Sequence, residues 1–278
     1  MTISKRERLH AAIEKLGALV CPVCGQALQR SGDDYRCANR HSVNINRKGC
    51  LNVLSAQVES CYDEALFAAR RRVFSAGCYL PVAEAVERLM PPGNHRLLDA
   101  GCGDGWYLNE LLLRHPDWCG AGVDISRDAI FRATEHPCEA VWCVADLRRL
   151  PFADGAFTAV LDILTPASYD EFSRILAEDG VLVKVYPGRE YLKELRAARG
   201  LPLYEEGQVE RYLREKADVI AHERVTHVCA TNDALWRDFV WMTPLNQDLP
   251  AGEKDALAAR NPGKVTIDLH VAVCRGKK

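Results

Sequence analysis

The sequence predicts an α/β protein with a doubly wound, mostly parallel sheet, preceded by a small metal-binding domain. Two observations support this prediction. Between residues 96 and 187, short apolar strands alternate with amphipathic helices, a rhythm typical of parallel sheets covered on both faces. Ahead of them, three cysteines and a histidine form two close pairs, Cys21 with Cys24 and Cys37 with His41.

Composition limits the class of protein. The chain has 278 residues, of which 48% are hydrophobic and 27% charged, which suits one large domain with a small appendage. No apolar run approaches the roughly 18 to 20 residues that span a bilayer. The first 20 residues are charged and do not resemble a signal peptide. We therefore expect a cytoplasmic protein with no membrane partner.

Charge is distributed unevenly along the chain. Residues 1–75 contain 12 lysines and arginines against 7 aspartates and glutamates, a net charge of +5. Because the whole chain carries −2, the remainder carries −7. A basic front on an acidic body is compatible with a polyanion that docks at the front, and also with chance.

Residues 1–18 are predicted to form a helical extension. Ser4 and Glu7 fit a capping box, and Gly17 can end the helix. Apolar residues between them repeat at helical spacing, so the charged residues form a solvated face.

Residues 19–58 are predicted to form a zinc-binding domain. Each close pair supplies two ligands from one tight turn, as tetrahedral zinc requires, and turn-forming residues between the pairs predict a β-hairpin. Four protein ligands leave no open position, so the zinc is expected to be structural. A redox Cys-x-x-Cys site and four unrelated side chains are the alternatives. The predicted ligands are Cys21, Cys24, Cys37 and His41.

The remaining cysteines are expected to be unpaired. The chain has twelve cysteines, and a cytoplasmic protein rarely keeps disulfides. Nine cysteines stand mostly in apolar surroundings and are predicted to be small buried hydrophobic residues. They are Cys50, Cys61, Cys78, Cys102, Cys119, Cys138, Cys143, Cys229 and Cys274.

Residues 59–93 are predicted to form connecting helices, and residues 94–278 the main domain. The run of arginines at positions 70–72 is a solvated helix face or a phosphate contact. Proline and glycine at positions 91–93 mark a linker.

The stretch "RLLDAGCGDGWYLNELLLRH" predicts a buried strand, a glycine turn and a helix from Trp106 to Arg114. Its D-x-G-x-G-x-G order resembles the glycine motif of class I S-adenosylmethionine methyltransferases. The resemblance implies a Rossmann-like, seven-stranded sheet whose last two strands form an antiparallel hairpin. A different nucleotide-binding fold is the alternative. The turn residues implied to bind the methionine end of the cofactor are Asp99, Gly101, Gly103, Asp104 and Gly105.

Two further acids end the next two predicted strands. The class I resemblance implies that Asp124 accepts the ribose hydroxyls and that Asp146 contacts the adenine amino group. Leu147 would flank the adenine ring.

Motifs along the chain resemble the bacterial 23S rRNA (guanine-N1)-methyltransferase family. They include the two metal-binding pairs, "RKGCLNVL", "ARRRVFSAGCYLP", "LDAGCGDGWY", "RLPF", "YPG" and "WMTPL", in the family's order. The resemblance implies an rRNA hairpin as substrate and a possible homodimer. It also implies that Tyr79 lies over the cofactor, and that Tyr191 stands where the family has a cofactor-contacting histidine.

The implied reaction is an in-line displacement in which guanine N1 takes the methyl group. Asp162, on the fourth predicted strand, is the candidate acceptor of the N1 proton, or it merely caps a loop. The base would have to leave its stack. The expected phosphate contacts are Arg36, Arg40, Arg47 and Lys48. The alternatives are a small-molecule methyltransferase with a structural zinc knuckle and an RNA-binding protein without catalysis.

Overall fold

The computed structural model describes residues 3–54 and 64–277, which fold as two units. The first unit comprises Met1–Ser60 and Pro91–Val183, and the second comprises Cys61–Met90 and Lys184–Lys278. The predicted domain boundaries at residues 18, 58 and 93 stay predictions.

Helices occur in both units. In chain order they are α1 (Lys5–Leu16), α2 (Glu64–Ser75), α3 (Leu80–Leu89), α4 (Trp106–Arg114), α5 (Arg127–Ala133), α6 (Tyr169–Ile175), α7 (Lys193–Ala198), α8 (Gln208–Lys216), α9 (Asp233–Met242) and α10 (Ala251–Ala258), with a 3₁₀ turn at Pro244–Asn246. In the part of the chain that the structure describes, no helix combines the length and apolar character needed to cross a bilayer.

Strands also occur in both units. In chain order they are β1 (Gln29–Ser31), β2 (Asp34–Arg36), β3 (Ser42–Val43), β4 (Leu51–Asn52), β5 (Arg96–Ala100), β6 (Cys119–Asp124), β7 (Val141–Val144), β8 (Phe157–Ile163), β9 (Leu176–Pro187), β10 (Ala217–Ala230) and β11 (Lys264–Gly276). Strand β9 runs through both units.

The first unit combines a small antiparallel sheet with a parallel one. Strands β1, β2 and β3 form the small sheet, which contains the predicted hairpin. In the large sheet the order is β9-β8-β5-β6-β7-β4, and the pairs from β8 to β4 are parallel. Residues on β5 and β8 are almost wholly buried, as expected for strands covered on both faces. The predicted mostly parallel sheet is therefore confirmed.

Strand β4 is an addition to the predicted sheet. The predicted seven strands are present as β5 to β11, but Leu51 and Asn52, assigned from the sequence to the zinc domain, pair in parallel with Cys143 and Val144 of β7. Two residues suffice because the amide of Val53 also donates to the carbonyl of Val144, at 3.1 Å. The zinc domain thus supplies one edge of the parallel sheet.

The N-terminal helix has the predicted ends. The Ser4 hydroxyl accepts from the Glu7 amide at 3.2 Å, while the Glu7 carboxylate accepts from the Ser4 amide at 3.0 Å. Gly17 closes the helix in the left-handed conformation, with φ 64°. Within the first unit, Lys5 donates to Thr134, and the side chain of buried His10 lies 2.9 Å from the hydroxyl of Tyr35. The helix is therefore packed against both the zinc domain and the parallel sheet.

The second unit is built on the long hairpin of β10 and β11, with β9 beside β11. Helix α2 packs on α9, where Arg72 forms a two-pronged ion pair with the buried carboxylate of Asp238 at 2.6 and 2.8 Å. The region predicted to contain connecting helices has α2 and α3, and Gly77, at φ 80°, turns the chain between them. The predicted late antiparallel hairpin is confirmed.

One cysteine prediction is wrong. Cys78 and Cys229, 151 residues apart in sequence, form a disulfide with Cα atoms 5.5 Å apart. Their burial is confirmed, but α3 packs on β10 and brings the two side chains together. Five other cysteines are free and buried as predicted, whereas Cys102 is partly exposed and Cys61 lies outside the described residues. The five are Cys50, Cys119, Cys138, Cys143 and Cys274.

Candidate metal centre and cofactor site

The four predicted metal ligands come together in the first unit. The three sulfur atoms and one imidazole nitrogen that they offer all lie within 4.8 Å of one another. The Nδ1 atom of His41 is 3.6 Å from the Sγ of Cys21 and 3.5 Å from that of Cys37, and the Sγ atoms of Cys24 and Cys37 are 3.7 Å apart.

These distances fit a zinc ion. Bond lengths of about 2.3 Å to sulfur and about 2.05 Å to nitrogen place ligand atoms at tetrahedral corners about 3.8 Å (S to S) and about 3.5 Å (S to N) apart. The three separations given above agree with these values within about 0.1 Å, and all four ligand atoms lie within 4.8 Å of one another. Among the described residues no other group of three or more cysteine, histidine or acidic side chains has such an arrangement. The cluster therefore binds structural zinc through Cys21, Cys24, Cys37 and His41.

Backbone turns hold the ligands in place. The Gly25 amide donates to the Cys21 carbonyl at 2.8 Å, with Gly25 in the left-handed region at φ 73°. In the second turn the Arg40 amide donates to the Cys37 carbonyl at 2.9 Å. A backbone hydrogen bond from Gln26 lowers the pKa of the Cys24 thiol to about 6, which favours the thiolate that zinc requires.

The four predicted phosphate contacts all lie on the surface of the zinc domain. Arg36, Arg40, Arg47 and Lys48 are exposed, and none has an acidic partner within 4 Å among the described residues. Arg6 and Arg30 differ, because they pair with Asp33 and Glu14. The four cations are thus free to bind an anion.

The glycine turn after β5 is fixed by hydrogen bonds to β6. The amides of Gly101 and Cys102 donate to the carbonyl of Val123 at 2.8 and 3.0 Å. The Gly103 amide donates to the carboxylate of Asp124 at 2.9 Å. Helix α4 begins directly after Gly105, so its first amides face the end of the turn.

Two of these glycines are required by close neighbours. A Cβ atom on Gly101 would lie 2.5 Å from the hydroxyl oxygen of Thr165, which follows β8. A Cβ on Gly105 or on Gly122 of β6 would collide with the ring of Trp142. The glycine turn is therefore in close contact with the indole of Trp142 and with Thr165 in the loop after β8.

Asp99 is the buried acid at the end of β5. It is 2% exposed, and its Oδ2 atom has no hydrogen-bond partner among the described residues. Burial, together with the negative charge of Asp124 and then of Asp104 and Asp162, raises the pKa of Asp99 to about 8. A buried carboxyl oxygen without a partner, surrounded by other acids, fits an incoming ammonium group, such as the amino group of S-adenosylmethionine.

Asp124 links the glycine turn to the start of helix α5. Its oxygens accept from the amides of Gly103 and Ser126 at 2.9 and 2.7 Å. These contacts fix the carboxylate at the carboxyl end of β6, and its contact with the ribose hydroxyls stays a prediction.

Asp146 is engaged by a neighbour that the sequence pattern did not indicate. The guanidinium of Arg148 donates hydrogen bonds to the Asp146 carboxylate at 2.6, 3.0 and 3.1 Å, and these contacts lower the pKa of Asp146. Leu147 between them is half-buried. A bound adenine amino group would compete with Arg148 for this carboxylate.

Asp162 is fully buried within β8 and close enough to Asp99 to raise the pKa of that acid. Its role as the N1 proton acceptor stays a prediction, and its burial means that a substrate must enter deeply to reach it. After it, Leu164 adopts φ 55° and exposes its side chain.

Tyr79 and Tyr191 meet in the second unit. Their hydroxyl oxygens are 2.8 Å apart, and Tyr79 also packs edge-on against Phe74. Their contacts with cofactor stay predictions.

Sequence reasoning placed Thr165 near the target base, but it missed two supporting residues: Trp142 beneath the turn and Arg148 on Asp146. The pair Gly120 and Gly122 in β6 was a usable signal, because two glycines in a buried strand mark a close approach of other groups.

Comparison with known proteins adds to this geometry. The sequence model described as "RlmA, N-terminal", a zinc ribbon, matches residues 19–60, and the model described as "Methyltransferase domain" matches residues 97–180. A chain in the complex of the Haloferax volcanii Trm112 methyltransferase activator with a methyltransferase superposes with a TM-score of 0.51 at 17% identity. The superposition covers 79% of this chain and 98% of that one, and it shows the fold alone.

Two relatives match both domains. The 23S rRNA (guanine(748)-N(1))-methyltransferase of Streptomyces fradiae is 31% identical over 270 residues, covering 92% of this chain and 96% of the relative. YxjB of Bacillus subtilis, which carries a 23S rRNA (guanine-N1)-methyltransferase name, is 32% identical over 276 residues, covering 91% and 95%. Identity at this level along nearly the whole of both chains shows that the protein belongs to the family of S-adenosylmethionine-dependent 23S rRNA (guanine-N1)-methyltransferases.

Proposed function

We propose that the protein methylates N1 of a guanine in a hairpin loop of 23S rRNA, with S-adenosylmethionine as the methyl donor. The observation that carries the proposal is the joint match of zinc domain and cofactor domain to the Streptomyces fradiae enzyme. A 23S rRNA substrate would place the reaction in the cytoplasm.

S-adenosylmethionine supplies an activated methyl group when bound, so the protein mainly has to position the two reactants. Asp99 would hold the amino group, Asp124 the ribose and Asp146 the adenine, since all three stand at the carboxyl ends of adjacent strands of the parallel sheet. The exposed loop after β8, with Leu164 and Pro166, is beside the glycine turn and would border the target base.

Guanine N1 carries a proton at neutral pH that must be removed for methylation. Asp162 is the acid on β8 that this proposal assigns to the step, directly or through a hydrogen bond to a water molecule. Because Asp162 is buried, the guanine has to be turned out of its hairpin to approach it.

The zinc domain would bind the RNA backbone. Its four exposed, unpaired cations supply charge without base selectivity, which is how phosphate contacts position a protein on RNA. We also propose that the protein works as a homodimer, as the family resemblance implies; light scattering of the purified protein tests this.

The decisive experiment is methylation of 23S rRNA isolated from a strain that lacks the gene. A methyl group on N1 blocks the base-pairing edge of guanine, so reverse transcription should stop at one guanine after incubation with protein and donor. Mass spectrometry of the same RNA should show one additional N1-methylguanine. Methylation of small acceptors with no product on rRNA would instead support the small-molecule alternative and refute the proposal.

The role of the zinc domain is tested with Cys24→Ser. We expect the variant to lose zinc and to bind rRNA at least tenfold more weakly, while its affinity for the cofactor stays within about twofold. Cys50→Ser is the matched control, since Cys50 is a free, buried cysteine outside the metal cluster. Full activity of Cys24→Ser on rRNA would show that the metal domain does not serve RNA binding.

A further inference from the structure

A short loop connects the edge of the cofactor site to the first metal-binding turn. Residues 146–150 follow β7, and the chain then pairs with the segment that precedes Cys21. The Val20 amide donates to the Pro151 carbonyl and the Ala153 amide to the Ala18 carbonyl, both at 2.9 Å. This pairing holds the loop beside the zinc domain.

The backbone of the loop is fixed from below. Glu171 accepts from the Leu150 amide at 2.6 Å, and Arg174 donates to the carbonyls of Leu150 and Phe152 at 3.2 and 2.8 Å. Glu171 and Arg174 also pair with each other at 2.6 Å. From this fixed backbone the side chains of Arg148 and Arg149 extend to the surface.

Arg149 points toward the metal-binding turn. Its guanidinium lies 3.5 Å from the carbonyl of Val23, the exposed residue between Cys21 and Cys24. Arg149 is exposed, and no acidic side chain lies within 4 Å of it among the described residues. It is therefore a free cation at the base of the zinc domain.

Arg148 points toward the cofactor site. Its side chain is 84% exposed even though it grips Asp146, the acid assigned to the adenine amino group. Exposed ion pairs contribute about 1.4- to 5-fold to an equilibrium constant, and the two-point geometry of this pair favours the upper end of that range. A competing partner for Asp146 can still offset a contribution of this size. Once replaced, its guanidinium is released next to Arg149.

We propose that Arg148 and Arg149 form a phosphate-binding pair for the RNA backbone, located between the zinc domain and the cofactor site, and that cofactor binding to Asp146 releases Arg148 for this contact. The inference rests on the proposed rRNA substrate and deepens it. It predicts that the cofactor and the RNA strengthen each other's binding, since both favour the broken Arg148–Asp146 pair.

The first test needs no RNA. Calorimetry with S-adenosylhomocysteine should show that Arg148→Gln binds about two- to fivefold more tightly than wild type, because the competitor for Asp146 is gone. Arg114→Gln is the matched control: Arg114 ends α4, a nine-residue helix that leads away from the glycine turn, and it also pairs with an acid, Glu110. Unchanged or weaker binding by Arg148→Gln would refute the competition.

The second test measures affinity for 23S rRNA transcribed in vitro, with and without S-adenosylhomocysteine. Wild type and Arg114→Gln should bind RNA more tightly when the nucleoside is present, and Arg148→Gln should lose this gain. Arg149→Gln should weaken binding in both conditions. Affinity for RNA decreases as salt increases. In the presence of the nucleoside, this dependence should be less steep for each of these two variants than for wild type, by about one unit in the slope of log affinity against log salt.

The outcomes separate this inference from the proposed function. RNA binding and salt slopes of Arg148→Gln and Arg149→Gln equal to those of Arg114→Gln, with wild-type methylation intact, would overturn the phosphate-binding pair alone. A wild-type protein that neither binds nor methylates 23S rRNA would overturn the proposed function and the RNA contact with it.

Discussion

Asp99 leads to a prediction about protons that can be worked out from its surroundings. Its pKa of about 8 means that about 0.9 of a proton is bound to this carboxyl at pH 7 in the ligand-free protein. A cofactor ammonium group placed against Oδ2 favours the ionised carboxylate, so binding should expel this proton. The amino group of the free cofactor, with a pKa of about 7.8, is mostly charged already and takes up only about 0.14 proton.

The expected balance at pH 7 is therefore a net release of about 0.8 proton per cofactor bound. At pH 9 the sign reverses, because Asp99 is already ionised and the amine must gain its proton from the buffer. Calorimetric titrations with S-adenosylmethionine measure this number directly when they are repeated in buffers of different ionisation enthalpy.

Asp99→Asn supplies the control. Asparagine has the same shape and no titratable proton, so release at pH 7 should disappear and affinity should fall about tenfold to a hundredfold. The ligand-free wild type should also lose stability as the pH rises from about 4 toward 8, since ionisation of a buried acid with a raised pKa opposes folding, and the variant should not. Proton release that is the same in wild type and Asp99→Asn would refute the assignment of Asp99 to the cofactor amino group.

Two further predictions concern the glycine turn and the second unit. Gly101→Ala should weaken cofactor binding at least tenfold in calorimetry, because its Cβ would displace the loop after β8. Gly32→Ala is the control, since Gly32 has nearly the same φ but open space around it, and this variant should leave cofactor affinity unchanged. Equal effects of the two substitutions would contradict the steric argument. Arg72→Ala should lower the free energy of unfolding in urea by about 1 to 2 kcal/mol, because it leaves the buried Asp238 carboxylate without its partner. Loss of the exposed pair of Arg214 should cost less than about 0.5 kcal/mol, and similar losses for both variants would show that burial of Asp238 is not decisive.

Local signals in the sequence predicted much of this structure. The capping box at Ser4, the hairpin between the two metal-binding pairs and the glycine turn after β5 depend on residues within a few positions of one another. Such patterns can be recognised in the sequence because the conformations of backbone turns and helix ends depend on a few neighbouring residues. The metal cluster was predictable for the same reason, since each turn brings its own two ligands.

What the sequence did not predict depends on distant pairing. The Cys78–Cys229 disulfide requires α3 to pack on β10, and no local pattern reports which strand a helix covers. The expectation of free cysteines came from the redox conditions of the cytoplasm, which do not indicate whether two cysteines lie close together in the fold. The ion pair between Arg148 and Asp146 joins residues that are close in sequence. It forms in only some rotamers of the exposed Arg148 side chain, and the spacing of the two residues does not show which rotamer is adopted.

Strand β4 makes the zinc domain and the parallel sheet inseparable in a practical sense. An isolated catalytic fragment starting near residue 94 would lack Leu51 and Asn52, and β7 would then present bare amides and carbonyls along its outer side. Open, apolar strand borders of this kind invite self-association. Recombinant production of the cofactor domain alone should therefore yield aggregates, and chimeras that exchange the metal module between relatives need their junction before Leu51, so that this strand and Val53 come from the recipient.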